Sequence, residues 1–238
     1  MGNFLIRMTR RSPAETRALL LDLAVEMLHE QGVDAGVGHI RVSDVVARAG
    51  LTTGAAYRCW ENQAAFHRDL AVAAVRWRDR ASITATVSRI YRLVEQGAPW
   101  AEVIRAGAEA NLHSYPVDAG FLTTLALRAC AHGDDALANA SHERHEEAMA
   151  AYAELYVAML RVYRRRLRPS FTVRHLSAAL AALSEGFAVQ AMSGEPHPVI
   201  ADPDAEAGAC GDWTLFGLVV LAVVDRFTEP IDGPTEGG

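Results

Sequence analysis

Arg58, Tyr57 and the pair Thr52-Thr53 carry the side chains best suited to recognition in this chain. A guanidinium can fork onto a guanine edge, which discriminates against a wrong base by about 1–3 kcal/mol. A phenol or threonine hydroxyl can hold a phosphate oxygen, and the methyl of Thr53 or Ala55 can meet a thymine methyl. These residues fall in VSDVVARAGLTTGAAYRCW, from Val42 to Trp60. The stretch reads as a short apolar helix, a tight turn at Ala49-Gly50-Leu51 and a second short helix. That is the sequence form of a helix-turn-helix, whose second helix fits the major groove while the first braces it. On the second helix Thr53, Ala55, Tyr57, Arg58 and Cys59 are expected to face outward. The amide-rich start at Thr52-Thr53-Gly54 suits phosphates.

A second constellation offers different chemistry. In His142-Glu143-Arg144-His145-Glu146-Glu147 the two histidines share a helix face, and Glu146 lies one turn after His142. A helical metal-binding protein or enzyme using His142, His145 and Glu146 is therefore the alternative reading. H-E-x-x-H is absent, however, and so acidic a stretch reads as a solvated face with no metal. Arg161, Arg164, Arg165, Arg166 and Arg168 crowd the end of a long helix, where cations offset the dipole. There is no G-x-S-x-G, no G-x-x-x-x-G-K and no dinucleotide fingerprint after a strand, so no enzyme and no cofactor are expected.

Composition bounds these readings. The chain has 238 residues, half of them hydrophobic, enough for a small domain plus a larger one. All 23 basic residues are arginine, so every cationic contact comes from a guanidinium. The net charge of −6 argues against a protein that coats nucleic acid. The charge is uneven: residues 1–80 hold 11 Arg against 9 acids, whereas residues 81–238 hold 12 Arg against 20. A locally basic head on an acidic body suits site-specific DNA binding. Cys59, Cys130 and Cys210 show no pairing or metal spacing, which fits a reducing, cytoplasmic setting. Met1 to Met8 is too short for a signal peptide. The most apolar segment, Trp213 to Val224, falls short of the roughly 20 residues of a membrane span, so no membrane is expected.

The elements that must position the motif are helical throughout. Ser12, Pro13 and Glu15 predict a capped first helix with Leu20, Leu23, Ala24, Met27 and Leu28 on its buried stripe, ending at Gly32. Thr52 is expected to cap the reading helix and Asn62 a fourth helix carrying Phe66 and Leu70. Helical pattern continues through Trp77 to about Arg80. Further helices are predicted from about Ser82 to Gln96, from Pro99 to before Pro116, from Ala119 to Ala131, from Asp135 to Leu167, from Thr172 to Ser193, and from an Asp212 cap to Phe227. Residues 193–211 read as a mobile loop and the tail PIDGPTEGG as disordered. No strand pattern competes.

Taken together, the capped helix ending in Gly32, Val42-x-x-Val45-Val46-x-x-Ala49-Gly50-Leu51, Thr52-x-Gly54-x-x-Tyr57, Trp60 and Phe66 resemble the head of the tetracycline-repressor (TetR-like) family. The resemblance implies a homodimer, each chain with a three-helix DNA-binding head and a larger helical body holding a small-molecule pocket. Ligand would swing the heads apart and release a palindromic operator. Most members are repressors. Three positions depart from the pattern. Gln63 replaces the usual lysine opening helix four, Arg41 replaces the usual Thr or Ser cap of helix two, and the loop before Arg41 is about four residues longer.

The expected architecture is all-α, with a helix-turn-helix head in residues 1–68 and a ligand-binding and dimerisation body in 69–238. The expected DNA-facing set is Arg41, Ser43, Thr52, Thr53, Gly54, Ala55, Tyr57, Arg58, Cys59 and Gln63. Trp100, His113, Tyr115, Phe121, Leu125, Met149, Tyr152, Tyr156, Met159 and Phe187 are the candidate lining for an apolar or aromatic effector. The last helix is apolar nearly all round. With the Ala-rich helix before it, it suits half of a four-helix dimer bundle.

Overall fold

The computed structural model describes residues 11–32, 36–77, 81–114, 118–129, 133–192, 194, 196–201 and 211–231. In the described residues the helices are α1 (Pro13–Gln31), α2 (Val42–Arg48), α3 (Thr53–Tyr57), α4 (Gln63–Arg76) and α5 (Ala81–Glu95). They continue with α6 (Trp100–Ser114), α7 (Ala119–Ala129), α8 (Asp135–Val162), α9 (Val173–Met192) and α10 (Leu215–Phe227). The architecture is all-α, and its strands are only two or three residues long. Among the described residues no helix is long and apolar enough to cross a membrane.

The chain forms two compact units. The first comprises residues 1–77 and 119–141. Its α1 begins with a complete capping box: Glu15 N–H donates to Ser12 Oγ (3.2 Å), and Ser12 N–H donates to Glu15 Oε2 (2.7 Å). These bonds to Ser12 hold the Glu15 carboxyl below its ordinary range. Leu20, Leu28, Val45, Phe66 and Leu70 are fully buried in one core with Ile40 and Trp60. That core also takes in Leu127 of α7 and Leu137 and Ala140 of α8. The unit therefore extends beyond the head drawn as 1–68, because α7 supplies apolar cover that three short helices lack. α4 stops at Arg76, since Trp77 turns extended (φ −61°, ψ 143°). The helical pattern drawn to Arg80 thus breaks at Trp77, and residues 78–80 lie outside the described set.

The second unit comprises residues 78–118 and 142–238. α5 ends in a tight cap where Gly97 (φ +71°) lets Gly97 N–H reach the Val94 carbonyl and Ala98 N–H the Leu93 carbonyl. Gly107 lets α6 lie against α5: a Cβ there would sit 3.1 Å from Ile90 Cδ1.

The structure overturns the expectation of a strand-free chain. β1 (Arg165–Leu167) pairs antiparallel with β4 (Thr228–Pro230), with Arg166 opposite Glu229. β2 (Val199–Ile200) pairs with β3 (Trp213–Thr214). The helix drawn to Leu167 ends at Val162, because Arg164 adopts φ +49° and redirects the chain. The arginines beyond it are engaged by acids rather than by a helix dipole. Arg165 meets Asp225 at 2.7 Å, while Arg166 and Arg168 meet Glu229 at 2.9 and 3.2 Å. Pro230 and Ile231, drawn at the start of a disordered tail, are placed instead: Pro230 closes β4 and Ile231 N–H donates to the Arg164 carbonyl at 2.7 Å, while residues 232–238 lie outside the described set. Thr214, not Asp212, caps α10 through Gly217 N–H (3.0 Å).

Candidate nucleic-acid interface

α2 is seven residues long and presents Val45 and Val46 inward. Its exit is closed by Gly50 at φ +64°. Gly50 N–H donates to the Ala47 carbonyl (3.1 Å) and Leu51 N–H to the Val46 carbonyl (3.0 Å). This double bond to the last turn is the geometry a left-handed residue permits, and it sets the corner between α2 and α3.

α3 spans only five residues. Thr52 occupies its N-cap position in extended backbone, but the threonine hydroxyl makes no capping bond, contrary to expectation. Arg41, Ser43, Thr52, Thr53, Gly54, Tyr57 and Arg58 are all exposed, Tyr57 at 67%. Ser43 Oγ donates to Asp44 Oδ1 at 3.1 Å. Arg58 follows the helix proper as its C-cap.

Three residues of the expected DNA-facing set are placed differently. Ala55 is 5% exposed, because the helix must seat one face on the core and Ala55 and Ala56 form that face. Cys59 is half-buried, its thiol within donating reach of the Ala55 carbonyl (3.4 Å) and the Pro13 carbonyl (3.7 Å). Gln63 turns its amide into the head. Val42 N–H donates to Gln63 Oε1 (3.1 Å), and Gln63 Nε2 donates to the Ile40 carbonyl (2.9 Å).

The Gln63 geometry joins two of the sequence departures. Arg41 sits at the N-cap of α2 and makes no side-chain capping bond. Gln63, at the start of α4, supplies an acceptor to the first amide of α2, that of Val42, whereas a Ser or Thr at the N-cap would serve the second or third. His67 Nε2 lies 2.6 Å from the same Gln63 nitrogen and 2.9 Å from the Ile40 oxygen, completing a polar knot beneath α2.

Sequence reasoning missed a second clasp. Asp69 accepts from Trp60 Nε1 and from Arg17, whose Nε lies 3.1 Å away. The Arg17 guanidinium also lies 5.9 Å from the Trp60 ring, and Phe66 meets that ring edge-on at 5.1 Å. One carboxylate thereby ties α1, the segment after α3 and α4 together. On the other side Arg48 of α2 grips Glu30 of α1 through two 2.6 Å bonds. That guanidinium holds the Glu30 carboxyl below its ordinary range. The only signal for these clasps was the presence of acids in a basic head.

The second unit holds a cavity of about 110 Å³. Trp100, Tyr152, Tyr156 and Met159 of the candidate set line it. His113, Phe121, Leu125, Met149 and Phe187 lie outside that lining. Phe121 and Leu125 belong to α7 in the first unit, and His113 turns its Nδ1 to the Glu109 carbonyl (2.7 Å). Phe187 packs on His197 and Phe216. Tyr115, Cys130 and Cys210 fall outside the described residues. Asn111, Ser184 and Phe216 join the lining without having been foreseen. The alternative metal reading loses a ligand: both Glu146 oxygens are held by Arg174, at 2.7 and 2.8 Å. Among the described residues no group of three or more His, Cys, Asp or Glu is arranged to hold a metal.

An all-helical chain with this head has the fold of TetR-family transcriptional regulators. The reduced form of Escherichia coli NemR is similar at a TM-score of 0.53 and 13% identity, over 91% of this chain and 99% of NemR. A TetR-family regulator from Agrobacterium tumefaciens is similar at 0.50 and 12% identity, over 92% of this chain and all of that one. No protein-family model matches the sequence, and no curated protein matches it.

Proposed function

We propose that this protein is a homodimeric, ligand-responsive transcriptional regulator that represses from a palindromic operator. The observation that carries the reading is the helix-turn-helix. Thr53 and Tyr57, with Thr52 and Arg58 at the two caps, stand exposed on a short helix whose opposite face, Ala55 and Ala56, is buried. Arg58 is assigned to a base edge. Tyr57, Arg41 and the threonine hydroxyls are assigned to phosphates. The fold shared with known regulators supports the same reading.

Dimerisation through the last two helices is part of the proposal. Ala178, Ala182, Gly186 and Val189 lie exposed at helical spacing on α9, and Leu218, Val219 and Leu221 of α10 are only half covered. Small residues in such a row allow close helix approach. The cavity would take the effector. A hundredfold loss of operator affinity requires about 2.7 kcal/mol of coupling between effector and DNA.

The test is selection of the purified protein against a random duplex library at moderate salt, repeated with Arg58→Ala. The expected result is a palindrome whose preference relaxes at one base pair per half-site in the variant. A wild type that enriches no sequence sinks the regulator. An unchanged base preference in the variant removes Arg58 from the reading role.

A further inference from the structure

The cavity of the second unit is a seam between two buried clusters. Ile90, Val103 and Met159 belong to one wall, and Leu176, Leu180 and Val224 to the other. Among the described residues Trp100 is the side chain that packs against both clusters, and it also lines the cavity. In a close-packed interior an indole in that place sets how far the two walls stand apart. Whatever holds the indole therefore bears on what the cavity can take.

Trp100 opens α6, and three residues that do not line the cavity grip it. The Arg165 guanidinium lies 5.0 Å from the ring centroid, the Tyr163 ring 5.2 Å away, and Trp100 Nε1 donates to Asp225 Oδ1 at 3.4 Å. Tyr163 Oη donates in turn to the Ala98 carbonyl (2.9 Å), two residues before the helix. Arg165 is itself anchored twice. Its Nε donates to Thr228 Oγ1 at 3.0 Å, and its Nη2 donates to the same Asp225 oxygen at 2.7 Å. Only 14% of its side chain is exposed, so the cation meets the ring with little competing water. A single carboxylate oxygen thus takes both the arginine and the indole and fixes one against the other. Arg166 makes the contrast on the same ribbon: it pairs with Glu229 at 2.9 Å, is 62% exposed and does not line the cavity.

We propose that Arg165 and Asp225 are positioning residues for ligand binding: by fixing Trp100 between the two walls they set the affinity of the cavity for an apolar ligand. As an effector site the cavity rests on the regulator reading above; the clamp on Trp100 stands on the second unit alone.

The test measures uptake of N-phenylnaphthylamine, an uncharged aromatic probe that fluoresces in apolar surroundings, by the full chain without DNA. The proteins are the wild type, Arg165→Met, Arg166→Met, Trp100→Leu and the double variant of Arg165 and Trp100, with Arg165→Gln as a second variant in case methionine perturbs folding. Losing the cation over the ring should weaken probe binding by about three- to tenfold. Arg166→Met removes a charge and an exposed ion pair from the same ribbon, and should leave the affinity within about twofold. In the Trp100→Leu background the Arg165 substitution should add nothing further, because its effect passes through the indole. Equal losses in Arg165→Met and Arg166→Met, an affinity unchanged in both Arg165 variants, additive losses in the double variant, or no probe uptake by the wild type would each overturn the proposal. Operator selection run on the same preparations separates the two claims. Specific DNA binding with a cavity insensitive to Arg165 sinks only the clamp. Probe binding that depends on Arg165 without any selected sequence sinks only the regulator.

Discussion

Replacing Gln63 by Ala tests whether α2 is capped from α4. The substitution removes the acceptor of Val42 N–H at 3.1 Å and the donor to the Ile40 carbonyl at 2.9 Å. Both bonds are part-buried, so water replaces them imperfectly. A lost cap costs about 0.5–2 kcal/mol, and a second neutral hydrogen bond adds about 0.5–1.5 kcal/mol. The expected loss is about 2 kcal/mol, or roughly 4–8 °C in melting temperature for a chain of this size. The same change should expose the Val42 amide to hydrogen exchange. Arg41→Ser supplies a local cap at a residue already in extended backbone (φ −90°, ψ 135°). A serine there would serve the Ser43 or Asp44 amide rather than that of Val42, so it should add about 0.5–1 kcal/mol in either background and leave exchange at Val42 unprotected in Gln63→Ala. Circular dichroism melts of the four proteins form the double-mutant cycle, and exchange at Val42 reports the cap directly. Exchange at Val42 no faster in Gln63→Ala than in the wild type, or a Gln63→Ala melt within about 1 °C of the wild type, would refute the cap from α4.

Two further outcomes follow from the same structure. Asp69→Asn weakens the acceptor shared by Trp60 and Arg17. It should destabilise the head by about 1–3 kcal/mol, as expected when a charge-assisted bond is replaced by a neutral one, and chemical denaturation measures this. His197 accepts from Phe216 N–H at 3.0 Å, and burial lowers its pKa below the usual 6.5. Folding therefore favours the neutral ring. This contribution is complete above about pH 6.5 and fades as the pH falls through the lower folded value. Melting temperature should decline on acidification below pH 6.5, and His197→Gln, which keeps an acceptor, should flatten that decline. An equal slope in the variant would assign the acid sensitivity elsewhere.

The helix-turn-helix was legible because its signals are local. Ser12 and Glu15 form a capping box within four residues, Gly50 supplies a left-handed φ at one turn, and Val45 and Val46 mark a face by spacing alone. Local rules fail where a partner lies far along the chain. Ala55 and Ala56 look alike in sequence to Thr53, and only packing on the core decided that Ala55 turns inward. Gln63 reads as a missing phosphate contact until it is seen across 21 residues from Val42. The break at Arg164 is invisible beside its arginine neighbours, because the strand at Thr228–Pro230 that captures them lies over 60 residues away.

The sequence by itself determined that the chain is helical, that its head has a helix-turn-helix, and that Tyr57 lies on the second helix of it with Arg58 at its end. These follow from periodicity, caps and glycine, which act within a turn or two of the backbone. Tertiary structure alone decided which motif residues reach solvent, that α7 completes the first core, and that one pocket of the second unit gathers Trp100, Tyr152, Tyr156 and Met159. The physical reason is the same in each case. Burial and hydrogen-bond satisfaction are properties of neighbours in space, and helical spacing does not encode which distant element the neighbour will be.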